Sequence, residues 1–353
     1  PSFPMESNSV YASHHMHLGR ANRFTGLLLA AAFTVTSTGP VHAQGSLDPS
    51  VAPRAAQLER QGDRRVATEM LGRYLATAPD DGLAWFQLGR FYLFDARDWH
   101  LAGHQGDPSA EFYLEFASLA LDQAGRLYVD SGVVYRAMTE MERARLDVEE
   151  IGWDSARARR PHTKLDLLPS YILELGRNLL QSCPGDGVLL TGSDLETLAV
   201  WYASLEAGTR GDVLPVEPRL YTLDSLYRWQ IARRLGVNPH LPVQKALAGV
   251  SEERTICLTP MADTAAAPFN TFAPMRLVRV NVTSEAPPAE AVLSVTTLLA
   301  FQREGGNAWS SHVLAVYAAA ARNNSLLCGG LLRPLRNQPL DASGSAPLGA
   351  CGR

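Results

Sequence analysis

The 353-residue sequence lacks the short motifs by which common enzyme classes are recognised. It contains no glycine-rich dinucleotide fingerprint, Walker A sequence, GxSxG nucleophile elbow or HExxH zinc helix. No combination of Ser, His and Asp stands out as a catalytic triad. The motifs therefore assign no reaction and no metal, and we expect no cofactor.

A surplus of basic residues is also missing, since 32 Lys and Arg stand against 36 Asp and Glu, giving a formal charge of −4. Such a balance offers no face suited to nucleic acid or anionic lipid. Beyond the first 43 residues, no stretch approaches the roughly 18 apolar residues typical of a membrane-spanning helix. We expect a mature chain with no nucleic-acid partner and no membrane span.

CxxC pairs are absent, although four cysteines are present: Cys183, Cys257, Cys328 and Cys351. Their spacing excludes a zinc ribbon and a thioredoxin-type redox site. Four cysteines allow three pairings. We expect Cys183–Cys257 first, because both flank strand-like apolar runs of one domain, and Cys328–Cys351 would then tie down the tail. Free, buried thiols are an equal alternative.

Residues 16–43 have the pattern of a cleavable secretion signal. Arg20 and Arg23 precede the uncharged apolar stretch Phe24–Val35, and small residues lead to a cleavage point after Ala43. The stretch is too short to cross a bilayer of about 30 Å as a stable helix. A buried N-terminal helix is the alternative interpretation. The signal predicts export to the periplasm or the extracellular space.

The most specific motif is Trp85-x-x-Leu88-Gly89-x-x-Tyr92, which matches the tetratricopeptide-repeat signature at every named position. Trp85, Leu88 and Tyr92 share one helical face, and Gly89 lets a neighbouring helix approach closely. Pro79 ends the helix that comes before. The chain therefore resembles a tetratricopeptide-repeat protein here, and a generic helical hairpin is the alternative.

The segment 95–108 interrupts this helical pattern, and we interpret it as a loop. His100 and His104 stand four residues apart within it, close to further acidic residues: Asp98, Asp107 and Glu111. This spacing would suit zinc if it were helical. Solvated polar side chains are the more economical interpretation, and we predict no metal site.

A different pattern begins near residue 164, where short apolar runs alternate with helical periods. Strands are predicted at 187–192, 212–216 and 255–259, with a helix in each interval. This order predicts right-handed crossovers and a small, mainly parallel sheet. Further strands are predicted at 275–282 and, unless a helix begins there, at 291–299.

The predicted fold is therefore α plus α/β, with tetratricopeptide-like helical hairpins followed by a small α/β domain. Five segments make up the chain: an N-terminal extension with its signal peptide, the helical domain, a linker, the α/β domain and a flexible tail, at residues 1–43, 44–151, 152–163, 164–335 and 336–353.

One turn of the α/β domain is a candidate ligand site, because it lies between the end of a strand and the start of a helix. It offers Thr191, Ser193, Asp194 and Glu196. Ligands bind at the carboxyl ends of strands in open α/β sheets. The two acids disfavour phosphate and suit a cation or a hydroxyl-rich ligand. Helix capping by Ser193 and the acids is the alternative.

The stretch from Gly187 to Val216 resembles a soluble segment of a bacterial family of multi-spanning, protein O-mannosyltransferase-like membrane proteins of uncertain function. The matching positions are Thr191, Asp194, Thr197, Trp201, Tyr202, Gly208, Arg210, Asp212 and Val213, with a weaker echo over Leu223–Trp229. Ser193, Leu195 and Glu196 depart from the pattern of the family, and no membrane-embedded part follows. The resemblance implies a shared extracytoplasmic fold without the transferase activity.

These patterns together predict an exported interaction protein, more plausibly a binder than an enzyme. Its helical repeats would present a groove to a protein or peptide partner, and the α/β domain would support it or add a ligand site. The alternative is a glycan-active or sugar-binding envelope protein that uses Asp194, Glu196 and Trp201. The identity of the partner and the oligomeric state do not follow from the residues.

Overall fold

The computed structural model describes most of the chain beyond the predicted signal. The residues described are 51–103, 107–127, 129–160, 167–281, 292–335 and 351. The predicted signal, His104 and nearly all of the predicted tail lie outside them. Within the described ranges, no helix combines the length and the apolar character that crossing a membrane requires.

The N-terminal part is an array of helices. They are α1 Val51–Arg60, α2 Arg64–Leu75, α3 Gly82–Leu101, α4 Ser109–Arg126, α5 Asp130–Ile151 and the short α6 Trp153–Arg159. Gly62 separates α1 from α2 with a φ of +89°, a conformation that glycine adopts without strain. Asp81 caps α3, since its side chain accepts a hydrogen bond from the Ala84 amide at 3.0 Å.

Helices α3 and α4 pack closely and run antiparallel. A Cβ atom on Gly82 would lie 2.9 Å from a side-chain atom of Leu127, and one on Gly89 would lie 2.6 Å from a side-chain atom of Leu121. The start of α3 therefore faces the end of α4. The predicted role of Gly89, close approach of a second helix, is the role it has in this hairpin.

The other residues of the repeat signature contact their surroundings on both sides of α3, and Tyr92 lies against Phe116 of α4 with ring centroids 5.4 Å apart. Trp85 donates its indole N–H to the carbonyl oxygen of Pro79 at 2.8 Å. Leu88 is buried with Leu71 and Leu75 in a small core to which α1, α2, α3 and α4 contribute. Antiparallel helical hairpins are thus present, and their assignment to the tetratricopeptide family stays a prediction.

The segment 95–108, predicted to be a loop, is helical as far as Leu101, because no glycine or proline interrupts the chain before Gly103. His100 consequently lies on α3 and is only 3% exposed. The expectation of solvated side chains was therefore wrong for His100. Its polar neighbours belong to other elements of the fold.

The C-terminal part combines a sheet with helices. Its elements are α7 Ser170–Ser182, β1 Val188–Leu190, α8 Asp194–Trp201, β2 Leu214–Val216, α9 Pro218–Leu223, α10 Ser225–Leu235, α11 Val243–Val250, β3 Ile256–Leu258, β4 Phe272–Met275, β5 Val278–Asn281, α12 Thr296–Arg303, α13 Ala308–Asn323 and α14 Leu326–Gly329. One π-helical turn, Tyr202–Glu206, extends α8. The run 291–299, for which strand or helix was open, contains the start of α12.

The sheet has the strand order β2-β1-β3-β5-β4. β1 pairs in parallel with β2 on one side and with β3 on the other, with Val188 opposite Leu214 and Ile256. β5 pairs antiparallel with β3 and with β4. The sheet is therefore mixed and not mainly parallel. The short link between β4 and β5 explains this, because a tight turn joins only antiparallel strands.

Two disulfides are present, and both are the bonds that we expected from the sequence. Cys183, directly after α7, is bonded to Cys257 in β3. Cys328 in α14 is bonded to Cys351. The first bond joins a helix to the central part of the sheet. The alternative of free thiols does not hold for these four residues.

One hydrophobic core continues from Leu93 in α3 to Leu335, so the helical array and the sheet share their interior. Helix α6, in the segment predicted to be a linker, contributes to this junction. Its Trp153 is 2% exposed and packs edge-on against Trp201 of α8. Gln230 of α10 donates a hydrogen bond to the carbonyl oxygen of Glu149 in α5 at 2.8 Å.

Candidate functional site

The turn after β1, predicted as a ligand site, is organised around the start of α8. The Ser193 side chain accepts a hydrogen bond from the Glu196 amide, and the Glu196 carboxylate accepts one from the Ser193 amide, which is a capping box. Thr191 and Thr197 join their hydroxyl groups at 2.8 Å. Ser193 and Glu196 therefore cap α8, and the hydroxyl contact of Thr191 ties the turn to the same helix.

Glu196 is fully buried and also reaches the loop that follows β3. Its carboxylate accepts hydrogen bonds from the Gly192 amide at 3.1 Å, the Thr259 hydroxyl at 2.8 Å and the Met261 amide at 3.0 Å. Burial raises the pKa of Glu196, and these donors act in the opposite direction. The side chain has no capacity left to bind a ligand.

The crevice between the ends of β1 and β3 is closed as a result. This is the point where the strand order reverses, at which open α/β sheets usually bind ligands. A Cβ atom on Gly192 would lie 2.2 Å from the backbone of Ala262, so the two loops are in direct contact. Thr191, Ser193 and Glu196 therefore hold the fold at this position.

An open cavity of about 310 Å³ lies on the other side of α8. It is enclosed by α3 and α5 of the helical array and by α8 and α9, with α2 at its margin. Its wall combines charged and apolar side chains. The apolar residues include Phe94, Met138, Met141, Leu198, Trp201 and Leu220. Asp194 is the one member of the predicted ligand turn among the residues that line it.

Two carboxylates enter the cavity from the carboxyl ends of neighbouring parallel strands. Asp194 begins α8 shortly after β1, and Glu217 directly follows β2. Within the described ranges, neither carboxylate has a hydrogen bond or ion pair. Burial, reinforced by the charge of Asp194, raises the pKa of Glu217. Both acids are therefore available to a ligand.

Most of the arginines at the cavity already have carboxylate partners. Arg64 contacts Asp95 at 2.9 Å and Asp98 at 2.6 Å. Arg97 contacts Glu142 at 3.2 Å. The remaining two are Arg145, described next, and Arg219, which is exposed and lies two residues beyond Glu217.

A buried ionic cluster adjoins the cavity, which Glu142 and Arg145 of the cluster line. Arg145 donates to Glu142 at 2.8 Å, to Asp224 at 2.9 Å and to Glu149. His100 Nε2 lies 2.6 Å from a Glu149 oxygen and 3.4 Å from an Asp224 oxygen. None of the five side chains exposes more than 6% of its area. Because α3, α5 and the start of α10 each contribute, the cluster joins the helical array to the sheet domain.

The cluster contains a group with the composition of a metal site, since ligand atoms of His100, Glu149 and Asp224 lie within 4.8 Å of one another. Arg145 already donates to both carboxylates. Burial lowers the pKa of His100, but the adjacent carboxylates of Asp224 and Glu149 outweigh it and raise the pKa to about 9. The four side chains thus form a network of ion pairs.

The sequence did not predict that Glu217, His100 and Arg145 lie in one region of the fold. A signal existed for Glu217, because a charged residue at the end of a predicted strand, next to a strand that ends in Asp194, falls on the same edge of a sheet. No local signal links His100 and Arg145, since their shared partner Asp224 is 79 residues beyond Arg145.

Comparison of the chain with models of protein families, with curated proteins and with solved structures finds no match. The geometry of the cavity is therefore the basis for a functional proposal.

Proposed function

We propose that the protein is an exported interaction protein that binds a short segment of a partner in the cavity between α3, α5, α8 and α9. The observation that carries the proposal is the cavity itself, which combines apolar side chains with two carboxylates that have no hydrogen bond or ion pair among the described residues. Its volume of about 310 Å³ is at the lower end of the roughly 300–1,000 Å³ common for ligand pockets.

The cavity changes the kind of binding that we propose for the helical array. Faces of α3 and α5 that a free-standing repeat would offer as an open groove look onto α8 and α9. An extended peptide lying along the array is therefore a poorer fit than one or two side chains inserted from the surface. The predicted export signal makes an envelope or secreted protein the expected partner.

The proposal is tested by capture of partners from envelope extracts with the mature chain and two variants. Leu223 lines the cavity and is 62% exposed, so Leu223→Arg obstructs the cavity with little effect on the core. Leu326→Arg is the matched control, because Leu326 is 83% exposed and lies on α14. We expect Leu223→Arg to reduce recovery of a specific partner at least tenfold and Leu326→Arg to leave it unchanged. Equal recovery with both variants would refute the proposal.

One observation favours the glycan-active alternative as a second candidate. Glycoside hydrolysis uses two carboxyl groups with different pKa values, and Asp194 and Glu217 line one cavity, with the pKa of Glu217 raised. Glu196 is excluded from this role by its buried hydrogen bonds. Turnover of an oligosaccharide or a lipid-linked sugar, lost in Asp194→Ala, would select this candidate.

A further inference from the structure

The outer face of α4 carries large apolar side chains that stay exposed among the described residues. Phe112, Phe116 and Leu119 are 58%, 50% and 62% exposed. Their spacing of four and three residues places them on one side of the helix. Single exposed apolar residues are ordinary, whereas a contiguous group marks a surface of interaction. No residue of α4 lines the cavity, so this face is separate from the proposed binding site.

We infer that this face of α4 joins two copies of the chain, with the two α4 helices antiparallel across a two-fold axis. The inference goes beyond the proposed function, because it concerns another surface. In a two-fold interface the same patch is used twice, so a contact of one residue with another occurs in both directions. The face must therefore complement itself, in charge and in apolar surface.

Two charges on one edge of the face fulfil this condition. Glu115 and Arg126 are exposed, and within the described ranges neither takes part in an ion pair or a side-chain hydrogen bond. They stand eleven residues apart, close to three turns of 3.6 residues, so they lie on the same edge of α4. An axis that passes between Ala120 and Leu121 brings Glu115 of each copy opposite Arg126 of the other.

The remaining charged side chains of α4 are already paired within the chain. Glu111 contacts Arg143 at 2.8 Å, and Asp122 contacts Arg136 at 3.0 Å. Both arginines belong to α5, which therefore runs along the charged edge of the face. The two charges of α4 that lack partners are thus the two that the antiparallel arrangement pairs.

The opposite edge of the face, along α3, complements itself about the same axis. Phe116 lies on this edge, against Tyr92 of α3. Leu83 of α3 is 59% exposed and lies beside the end of α4, since a Cβ atom on the adjacent Gly82 would be 2.9 Å from a side-chain atom of Leu127. The axis that pairs the charges brings Phe116 of one copy level with this end of α4 in the other. Its ring can therefore cover Leu83.

One axis thus satisfies both edges of the face, and this favours a second copy over another protein. A partner of different sequence would require no relation between Glu115 and Arg126, nor between Phe116 and Leu83. Dimers with two-fold symmetry are also the commonest symmetric assemblies of soluble proteins.

Sedimentation equilibrium of the mature chain over a range of concentrations measures the association. Leu119 lies next to the axis, where it meets Leu119 of the other copy. Leu119→Glu would place two carboxylates there, and we expect it to weaken the dimer at least tenfold. Leu326→Glu is the matched control, because Leu326 is 83% exposed and lies on α14, and it should leave the dimer unchanged. Circular dichroism verifies that each variant is folded.

Charge reversal tests the antiparallel arrangement itself. Glu115→Arg and Arg126→Glu should each weaken self-association about tenfold, because each places like charges opposite one another at two positions. When the two variants are mixed in equal amounts, they should associate as tightly as the wild type. Each arginine of the first variant then faces a glutamate of the second, at both positions.

The outcomes are distinct from those of the partner-capture experiment. A mature chain that stays monomeric at every concentration would overturn the inference and leave the face to another protein. A dimer that Leu119→Glu leaves intact would overturn it as well, and so would mixed charge variants that fail to associate. Loss of partner capture in Leu223→Arg concerns the cavity, so the proposed function is judged separately.

Discussion

Two regions at one edge of the sheet contain carboxylates, and they differ in how those carboxylates are satisfied. Between β1 and β3, Glu196 accepts hydrogen bonds from two loops and fills the crevice. On the other side of α8, Asp194 and Glu217 line a cavity and have no such partners within the described chain. Buried polar groups in native proteins are nearly always hydrogen-bonded. Glu196, which is buried and fully hydrogen-bonded, is therefore a structural acid, whereas Asp194 is exposed and Glu217 is half-buried, so both are open to solvent.

The largest loss of stability is expected when the ionic cluster of His100, Glu142, Arg145, Glu149 and Asp224 is disrupted. Arg145→Met removes the cation shared by Glu142, Glu149 and Asp224 and leaves buried charges uncompensated. We expect a loss of about 3–5 kcal/mol in the free energy of unfolding. Urea denaturation measures it, with Arg159→Met as a control because that side chain is 54% exposed. A loss similar to that of the control would show that the cluster contributes little.

Glu196→Gln tests the closed crevice. The amide group of Gln has one acceptor oxygen where the carboxylate has two, so amide donors of Gly192, Ser193 or Met261 lose their acceptor. We expect destabilisation by roughly 1–3 kcal/mol, measured by thermal and urea unfolding. An unchanged unfolding midpoint would show that the hydrogen bonds of Glu196 do not stabilise the fold, which would contradict its structural role.

The pH dependence of stability follows from the raised pKa of His100. Its pKa is about 9 in the fold against an ordinary value of 6.5. The protonated imidazole therefore stabilises the fold fully below pH 6.5, and this contribution declines as the pH rises through 9. Between pH 6.5 and 9.5, the free energy of unfolding should fall by about 1–3 kcal/mol more in the wild type than in His100→Gln. If the two proteins showed the same change in the free energy of unfolding with pH, His100 would not contribute to the stability of the cluster.

Glu217→Gln should have the smallest effect on stability. The side chain has no hydrogen bond or ion pair in the described structure, and the charge of Asp194 opposes its ionisation. We expect a change within about 0.5 kcal/mol at pH 7. A loss of the size expected for Glu196→Gln would mean that Glu217 has a structural partner and that the proposed contrast does not exist.

Local patterns predicted the elements around the site better than the site. The signature from Trp85 to Tyr92 lies on α3, and the apolar run before Gly192 forms β1, because both depend on residues a few positions apart. The loop predicted over 95–108 failed for its first half, where hydrophobic contacts with other helices and no helix breaker keep α3 continuous to Leu101. The mainly parallel sheet failed because β4 and β5 form a hairpin.

The candidate turn shows the same limit at the level of single residues. Sequence reasoning recognised that Ser193, Asp194 and Glu196 open a helix, and both capping and ligand binding were consistent with that position. Capping explains Ser193 and Glu196, and only Asp194 reaches the cavity. Whether Glu196 is a structural group or a ligand-binding group was decided by its hydrogen bonds with Thr259 and Met261, which lie 63 and 65 residues further along the chain.

The sequence by itself determined the repeat signature, the capped start of α8 and the strands of the parallel core, because each follows from short-range spacing and residue chemistry. The tertiary structure alone decided which acids are paired and where a cavity is left open. Hydrogen bonds and ion pairs form between groups that the fold brings within about 3 Å. Asp224 and Arg145, 79 residues apart, meet only after α5 and α10 have packed together.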